Sequence, residues 1–123
     1  MFKGKIISDK LILILESVKQ IEQYTIPIKT ADDFLLSPEG MLRLDACVMR
    51  LQVIGESVRS ILAVDDNPLS SCDKIPWKKI IGLRNIISHE YMSVDEVLIF
   101  NIINKELPYL KTTVEGILSE WKL

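Results

Sequence analysis

The longest helical pattern in the chain, over residues 38–63, constrains the fold more than any other feature. A cap residue, Ser37, comes directly before Pro38 at the first helical position, and Glu39 adds a carboxylate to the first turn. Apolar residues then recur three or four apart at Met41, Leu44, Val48, Leu51, Gly55, Val58 and Leu62, with Cys47, Ile54 and Ile61 on the flank. Because one neighbouring helix cannot cover so wide a face, the pattern predicts a bundle core with room for a subunit contact.

The spacing of apolar residues indicates helices in the rest of the chain as well, since no stretch alternates with period two. A first helix is expected over residues 8–24, with Ser8 or Asp9 near its N-cap. The apolar face of this helix consists of Leu11, Ile14, Leu15, Val18 and Ile21. A short helical turn over residues 30–36 follows, with Thr30 as its cap.

The second half of the chain begins with a polar loop over residues 64–75, after which Pro76 starts a helix that ends near residues 88–91. Ser93 and Glu96 form a capping-box pattern, so another helix is expected from Val94. Pro108 should break or kink it, leaving a last helix over residues 107–120. We therefore predict one all-α domain over residues 1–123, an up-and-down bundle of four to five helices.

Composition narrows the classes of function. The 123 residues carry a net charge of −2, with an isoelectric point of about 5.4, which argues against bulk electrostatic capture of nucleic acid. The apolar run that starts at Lys10 ends at Glu16 and is followed by no cleavage site, so we interpret it as a core helix of a cytoplasmic protein. Cys47 and Cys72 form no ligand pattern, and with a single histidine we expect no metal site and no cofactor.

The side chains that could take part in catalysis or accept a modification are concentrated in one segment. His89, the only histidine, has Arg84 five residues before it and Tyr91 two after it. A guanidinium can hold a phosphate, an imidazole can move a proton near neutral pH, and a phenol can accept a modification. On a continuous helix Arg84 and His89 lie about 140° apart, so they converge only if the arginine curls around or the helix unwinds by His89. The structural alternative is a capping or packing histidine at a helix end.

The context of this motif resembles a known family. The segments that carry the resemblance are Pro76-Trp77-Lys78-Lys79-Ile80-Ile81-Gly82-Leu83-Arg84-Asn85, then His89-Glu90-Tyr91, with upstream Asp45-Ala46 and Val53-Ile54-Gly55-Glu56, and downstream Leu107-Pro108-Tyr109-Leu110. Together they resemble HepT-like proteins of the HEPN superfamily over most of the chain. Ser57 departs from the alanine that is frequent in the family, a difference outside the motif.

The resemblance implies an all-α homodimer that acts as a metal-independent endoribonuclease and as the toxin of a toxin–antitoxin pair. It makes Arg84 and His89 the catalytic pair, with Asn85 as their polar support. Tyr91 would accept AMP from a nucleotidyltransferase-like antitoxin. Glu56 is a candidate partner for Arg84.

The chemistry fits these residues, since RNA supplies its own nucleophile in the 2′-hydroxyl. Cleavage then needs a proton carrier, His89, and a group that stabilises charge on the phosphorane, Arg84. One histidine cannot be acid and base at once, so a shared cleft in a dimer would bring two. The alternative function is a non-catalytic HEPN subunit that binds a nucleotidyltransferase or a nucleotide; the acidic isoelectric point favours it slightly, and the intact motif favours the ribonuclease.

Overall fold

The computed structural model describes residues 2–70 and 95–120, and within these ranges the regular elements are all helical, with no strand. Helix α1 spans Phe2–Tyr24, a 3-10 turn spans Ala31–Phe34, and helix α2 spans Pro38–Leu62. After the undescribed residues 71–94, helix α3 spans Glu96–Asn101, a π-helical segment spans Ile102–Glu106, and helix α4 spans Leu107–Glu120. The predicted all-α bundle class is confirmed.

Helix α1 packs against α2 and also contacts α4. The face predicted for it is right, because Leu11, Ile14, Val18 and Ile21 are all buried and Leu15 is partly buried against them. Its predicted start is wrong, because Ser8 and Asp9 lie inside the helix and do not cap it. Ile7 is buried one turn before Leu11, so core packing extends the helix past the polar pair that resembled a cap.

The connection from α1 to α2 follows the expected capping chemistry. Thr30 caps the 3-10 turn, and the carboxylate of Asp33 accepts the backbone N–H groups of Lys29 at 2.7 Å and Thr30 at 3.0 Å. Ser37 caps α2 by accepting the N–H of Gly40 at 2.9 Å. Helix α2 ends at Leu62 with Ala63 as its C-cap, which confirms the predicted bounds.

The core face of α2 contains most of the predicted stripe: Val48, Leu51, Gly55 and Val58 are buried, and Leu44 and Leu62 are partly buried against the core. Cys47, Ile54 and Ile61, predicted as the flank, lie at the centre of the buried face, together with Leu51 and Val58. Met41, predicted to begin the stripe, is 52% exposed. The 3-10 turn lies against α2 at Gly40, on the same side as Cys47, which leaves Met41 at the edge of the contact.

The C-terminal helix contains one irregular turn. The N–H of Leu107 donates to the carbonyl of Ile102, five residues back, in place of the four of an α-helix. Pro108 comes next, and its ring would clash with the carbonyl four residues earlier in a regular helix. The predicted disturbance at Pro108 is therefore a π turn, and the predicted last helix over residues 107–120 is confirmed.

The start of α3 differs from its prediction. Asp95, not Ser93, is the N-cap, and its carboxylate accepts the N–H of Val97 at 2.8 Å. The helix therefore begins at Glu96, two residues after the predicted Val94. An aspartate caps as well as a serine does, so the sequence Ser-Val-Asp-Glu contained two competing start signals.

None of the helices in the described ranges has the length and apolar content that crossing a bilayer requires.

Candidate functional site

The predicted site residues Arg84, Asn85, His89 and Tyr91 all lie between residues 71 and 94, outside the residues that the structure describes. The helix predicted from Pro76 lies there as well. The structure describes the residues on both sides of this segment, 2–70 and 95–120. They include helix α2, which carries the upstream segments of the family resemblance.

The chain is held firmly where it leaves α2 towards the motif. Asn67 is buried and folds the turn around its own side chain, donating to the carbonyl of Val64 at 2.8 Å. Its amide oxygen accepts the N–H groups of Leu69 and Ser70, each at 3.0 Å. Leu69 is fully buried in the core. The direction of the chain at Ser70 is therefore set by hydrogen bonds and packing.

Asn67 was not among the residues predicted from the sequence, although a signal was present. An asparagine followed by Pro68 is typical of turns, because its short amide can bond to backbone groups two and three residues later. The preceding residue, Asp66, has a φ of 59°, a left-handed conformation that aspartate tolerates better than most residues.

The side of α2 that faces away from α1 carries apolar residues together with a charged one. Leu42, Ala46, Met49 and Val53 follow one another at helical spacing, and Leu42 and Met49 are exposed while the other two are half-buried. We call these four residues the outer stripe. Glu56 is half-buried and continues the line one turn further. The outer stripe is thus an apolar surface on the opposite side of α2 from the core.

Arg43 and Arg50, seven residues apart, share an edge of α2 next to the outer stripe, and both are half-buried. Arg43 is already engaged: its guanidinium donates to the carbonyl of Tyr24 at 3.0 Å and to the carboxylate of Glu39 at 2.8 Å. Its charge fastens the end of α1 to the first turns of α2. Arg43 is therefore a structural residue in this arrangement.

Cys47 is fully enclosed in the core between α1 and α2. Burial raises the pKa of its thiol to about 12, so the thiol stays protonated and unreactive at neutral pH. Cys47 is therefore a small packing residue of the core. Across residues 2–70 and 95–120, no three histidine, cysteine or carboxylate side chains are grouped closely enough to hold a metal ion.

Comparison with known proteins adds the family. The profile described as ribonuclease HepT-like matches residues 14–117, a span that includes α2, the motif and most of α4. A Methanocaldococcus jannaschii protein named "Putative RNase MJ1380" is 32% identical over 83% of this chain and 87% of its own length. "Putative RNase TTE0752" of Caldanaerobacter subterraneus subsp. tengcongensis is 35% identical over 74% of this chain and 76% of its own length.

A further relative is longer. "Gamma-glutamylcyclotransferase and putative RNase MJ0434" of Methanocaldococcus jannaschii is 34% identical over 87% of this chain, which spans only 45% of that protein. No solved structure matches the chain. With a family profile that covers most of its length, this helical chain belongs to the ribonuclease HepT-like family of the HEPN superfamily.

Proposed function

We propose that this protein is a metal-independent endoribonuclease and the toxin of a toxin–antitoxin pair. The observation that carries the proposal is the arginine–histidine motif, Arg84 and His89, within a chain whose ribonuclease-family match extends over residues 14–117. The relatives named as RNases support the same activity.

The reaction is transfer of the phosphodiester to the 2′-hydroxyl of the same nucleotide. The 2′-oxygen forms a bond to phosphorus while the bond to the 5′-oxygen of the next nucleotide breaks. His89 removes the proton of the 2′-hydroxyl or protonates the leaving 5′-oxygen, and Arg84 binds the non-bridging oxygens as their charge grows. Asn85 supports the pair by hydrogen bonding. No step requires a metal ion or a protein nucleophile.

A homodimer supplies the second histidine that a concerted acid–base pathway needs. The outer stripe of α2 supports this part of the proposal, because Leu42 is 69% exposed and Met49 is also exposed, on a helix whose core face is already covered. Burying such a stripe against a second copy would remove apolar surface from water. We propose that the two copies meet along α2 and the helix predicted from Pro76, with both His89 side chains facing one cleft.

Regulation is proposed at Tyr91, two residues after the catalytic histidine. A nucleotidyltransferase-like antitoxin would transfer AMP from ATP to the phenol oxygen, with pyrophosphate as the leaving group. The added phosphate would compete with RNA for the guanidinium of Arg84, and the nucleotide would occupy the cleft. One modification would thus block the site electrostatically and sterically.

The decisive experiment is RNA cleavage by the purified protein in the presence of a chelator. We expect cleavage by the wild type, and a loss of at least ~10²-fold in Arg84→Ala and in His89→Ala, because each removes a group that acts on the reacting phosphate. Arg59→Ala is the matched control, since Arg59 is an exposed cation on α2. Circular dichroism should show the same helix content in all variants.

The outcomes separate the two functions. Full activity in His89→Ala would remove the proposed acid–base role, and unfolding of either motif variant would make that residue structural. A wild-type protein that binds nucleotide or nucleotidyltransferase but cleaves no RNA would support the non-catalytic HEPN subunit.

The regulatory part is tested by intact mass after co-expression with the cognate nucleotidyltransferase. The wild type should gain mass in steps of AMP, and Tyr91→Phe should gain none while it keeps its ribonuclease activity. AMP increments that persist in Tyr91→Phe would place the modification on another residue.

A further inference from the structure

Helix α4 carries a surface cavity of about 530 Å³. The described residues of its wall come from the first two turns of the helix: Pro108, Tyr109, Thr112 and Thr113. Leu110, which lies between them in sequence, is fully buried in the core on another side of the helix. We call this space the α4 cavity. Its volume lies in the range of about 300–1,000 Å³ that is usual for sites of small ligands.

Tyr109 is the largest described side chain of this wall, and it is 52% exposed. Pro108 precedes it and is exposed as well. A half-exposed aromatic ring offers a flat apolar face, and stacking on such a face contributes about 5- to 100-fold in affinity for a nucleobase. The α4 cavity is therefore suited to a planar ring.

The hydroxyl groups of the wall can bind the edge of such a ring. Oγ1 of Thr112 donates its hydrogen to the carbonyl oxygen of Pro108 at 3.1 Å. This bond fixes the hydroxyl and leaves its oxygen as an acceptor for an N–H group of a ligand. Thr113, half-buried on the same wall, adds a hydroxyl that can donate or accept. Nucleobases combine a flat ring with N–H groups at its edge, and they match these contacts.

The charges near the α4 cavity do not select a phosphate. The four described wall residues are of types that carry no charge at neutral pH. Lys111 is already engaged, because its ammonium group lies 3.1 Å from both carboxylate oxygens of Glu22 on α1. The other charged residues of the adjoining turns have both signs: Lys105, Glu106 and Glu115. The ring and the edge of a base, and not its phosphate, would therefore contribute most of the affinity.

We infer that the α4 cavity binds one nucleobase, which stacks on Tyr109 and donates an N–H group to Oγ1 of Thr112. The inference rests on the proposed function for its main source of bases, single-stranded RNA, whose unstacked bases are open to aromatic side chains. A free nucleotide carries the same ring, so the two sources are separated by experiment. A base bound here holds the RNA by a contact with little dependence on salt, in addition to the contact of Arg84 with a phosphate.

The test is fluorescence anisotropy with a labelled 2′-O-methyl oligoadenylate, which the proposed reaction cannot cleave because the attacking hydroxyl is blocked. Tyr109→Ala should weaken binding at least ~5-fold, because it removes the stacking face, whereas Tyr109→Phe keeps the ring and should bind like the wild type. Thr112→Val removes only the hydroxyl and should weaken binding by a smaller factor. Ile12→Ala is the control, since Ile12 is an exposed apolar residue on a different helix.

Two further measurements characterise the contact and its ligand. The salt dependence of binding should be the same in the wild type and in Tyr109→Ala, because no charge is removed. Titration calorimetry with ATP identifies the source of the base. An oligonucleotide that binds far more tightly than ATP makes RNA the ligand, and an equal ATP affinity that is lost in Tyr109→Ala makes a free nucleotide the ligand.

The remaining outcomes contradict one proposal or the other. Unchanged oligonucleotide and ATP binding in Tyr109→Ala, or a wild type that binds neither, overturns the inference, and equal losses in Tyr109→Ala and Tyr109→Phe overturn the stacking. Loss of the dimer in light scattering in Tyr109→Ala would assign the cavity to a second copy instead. RNA cleavage by a wild type whose binding is independent of Tyr109 leaves the ribonuclease and removes the base site. Binding that depends on Tyr109 without RNA cleavage leaves the base site and removes the catalytic proposal.

Discussion

At the scale of single residues, Gly40 and Gly116 have opposite roles although both lie in helices. The Cβ of an alanine at position 40 would collide with the carbonyl oxygen of Asp33 and come within 3.1 Å of that of Phe34. Nothing lies within 4 Å of the corresponding position at Gly116. The first glycine therefore permits the 3-10 turn to lie directly against α2, and the second makes no close contact.

This difference predicts opposite effects on stability. Gly40→Ala should lower the free energy of unfolding by about 1–3 kcal/mol, because the backbone of the turn must move away from α2. Gly116→Ala should raise it by about 0.5–1 kcal/mol, because alanine is the better helix former. Urea unfolding followed by circular dichroism measures both. A Gly40→Ala protein as stable as the wild type would show that the turn can shift without loss.

At the scale of elements, the π turn reconciles Pro108 with a continuous apolar face. Buried residues of the C-terminal helix are three or four apart, except for the step of five from Ile102 to Leu107. A regular α-helix would turn Leu107 away from the core after such a step, and the π turn absorbs the extra residue. Lys105, within this turn, is exposed.

One residue should therefore be removable from this turn with little loss of stability once Pro108 is replaced. In a Pro108→Ala background, deletion of Lys105 leaves Ile102 and Leu107 four apart, so both remain on the core face of a regular helix. Deletion of the exposed Lys19 from α1 is the control, because it rotates Ile21 by about 100° relative to Leu11 and Ile14. The urea midpoint should fall far more for the control. Equal losses would contradict this account of the π turn.

At the scale of the whole molecule, the outer stripe of α2 connects the fold to the proposed catalytic dimer. Met49→Asp should give a monomer in light scattering at micromolar concentration and should lose RNA cleavage, because a buried carboxylate without a partner destabilises the contact. The control is Ile12→Asp, a change at an exposed aliphatic residue of α1, which should leave both the dimer and cleavage intact. The expected far-ultraviolet spectrum is unchanged in both variants. A Met49→Asp dimer with full activity would locate the interface elsewhere, and a monomeric wild type would remove the shared cleft altogether.

Much of the fold was predictable because its signals are local. Ser37 with Pro38 defines the start of α2, and Thr30 defines the start of the 3-10 turn, since a cap acts on backbone groups two or three residues away. The start of α1 was not predictable from such signals, because burial of Ile7 outweighed Ser8 and Asp9 as caps. The motif containing Arg84 and His89 was recognisable from the sequence, and its arrangement lies outside the described residues.

By itself the sequence determined the helical class and the family, and it predicted the residues of the candidate site, because periodicity, caps and motif spacing depend on neighbours along the chain. Only the tertiary structure decided which line of α2 is the core. Cys47, Ile54 and Ile61 lie at its centre, and Met41 is in solvent, because the position of α1 selects one side of a helix that is apolar on several. The same packing decided that Arg43 joins two helices and that the connection around Leu36 forms a groove. Contacts between residues distant in sequence depend on where the other elements lie, which no local pattern specifies.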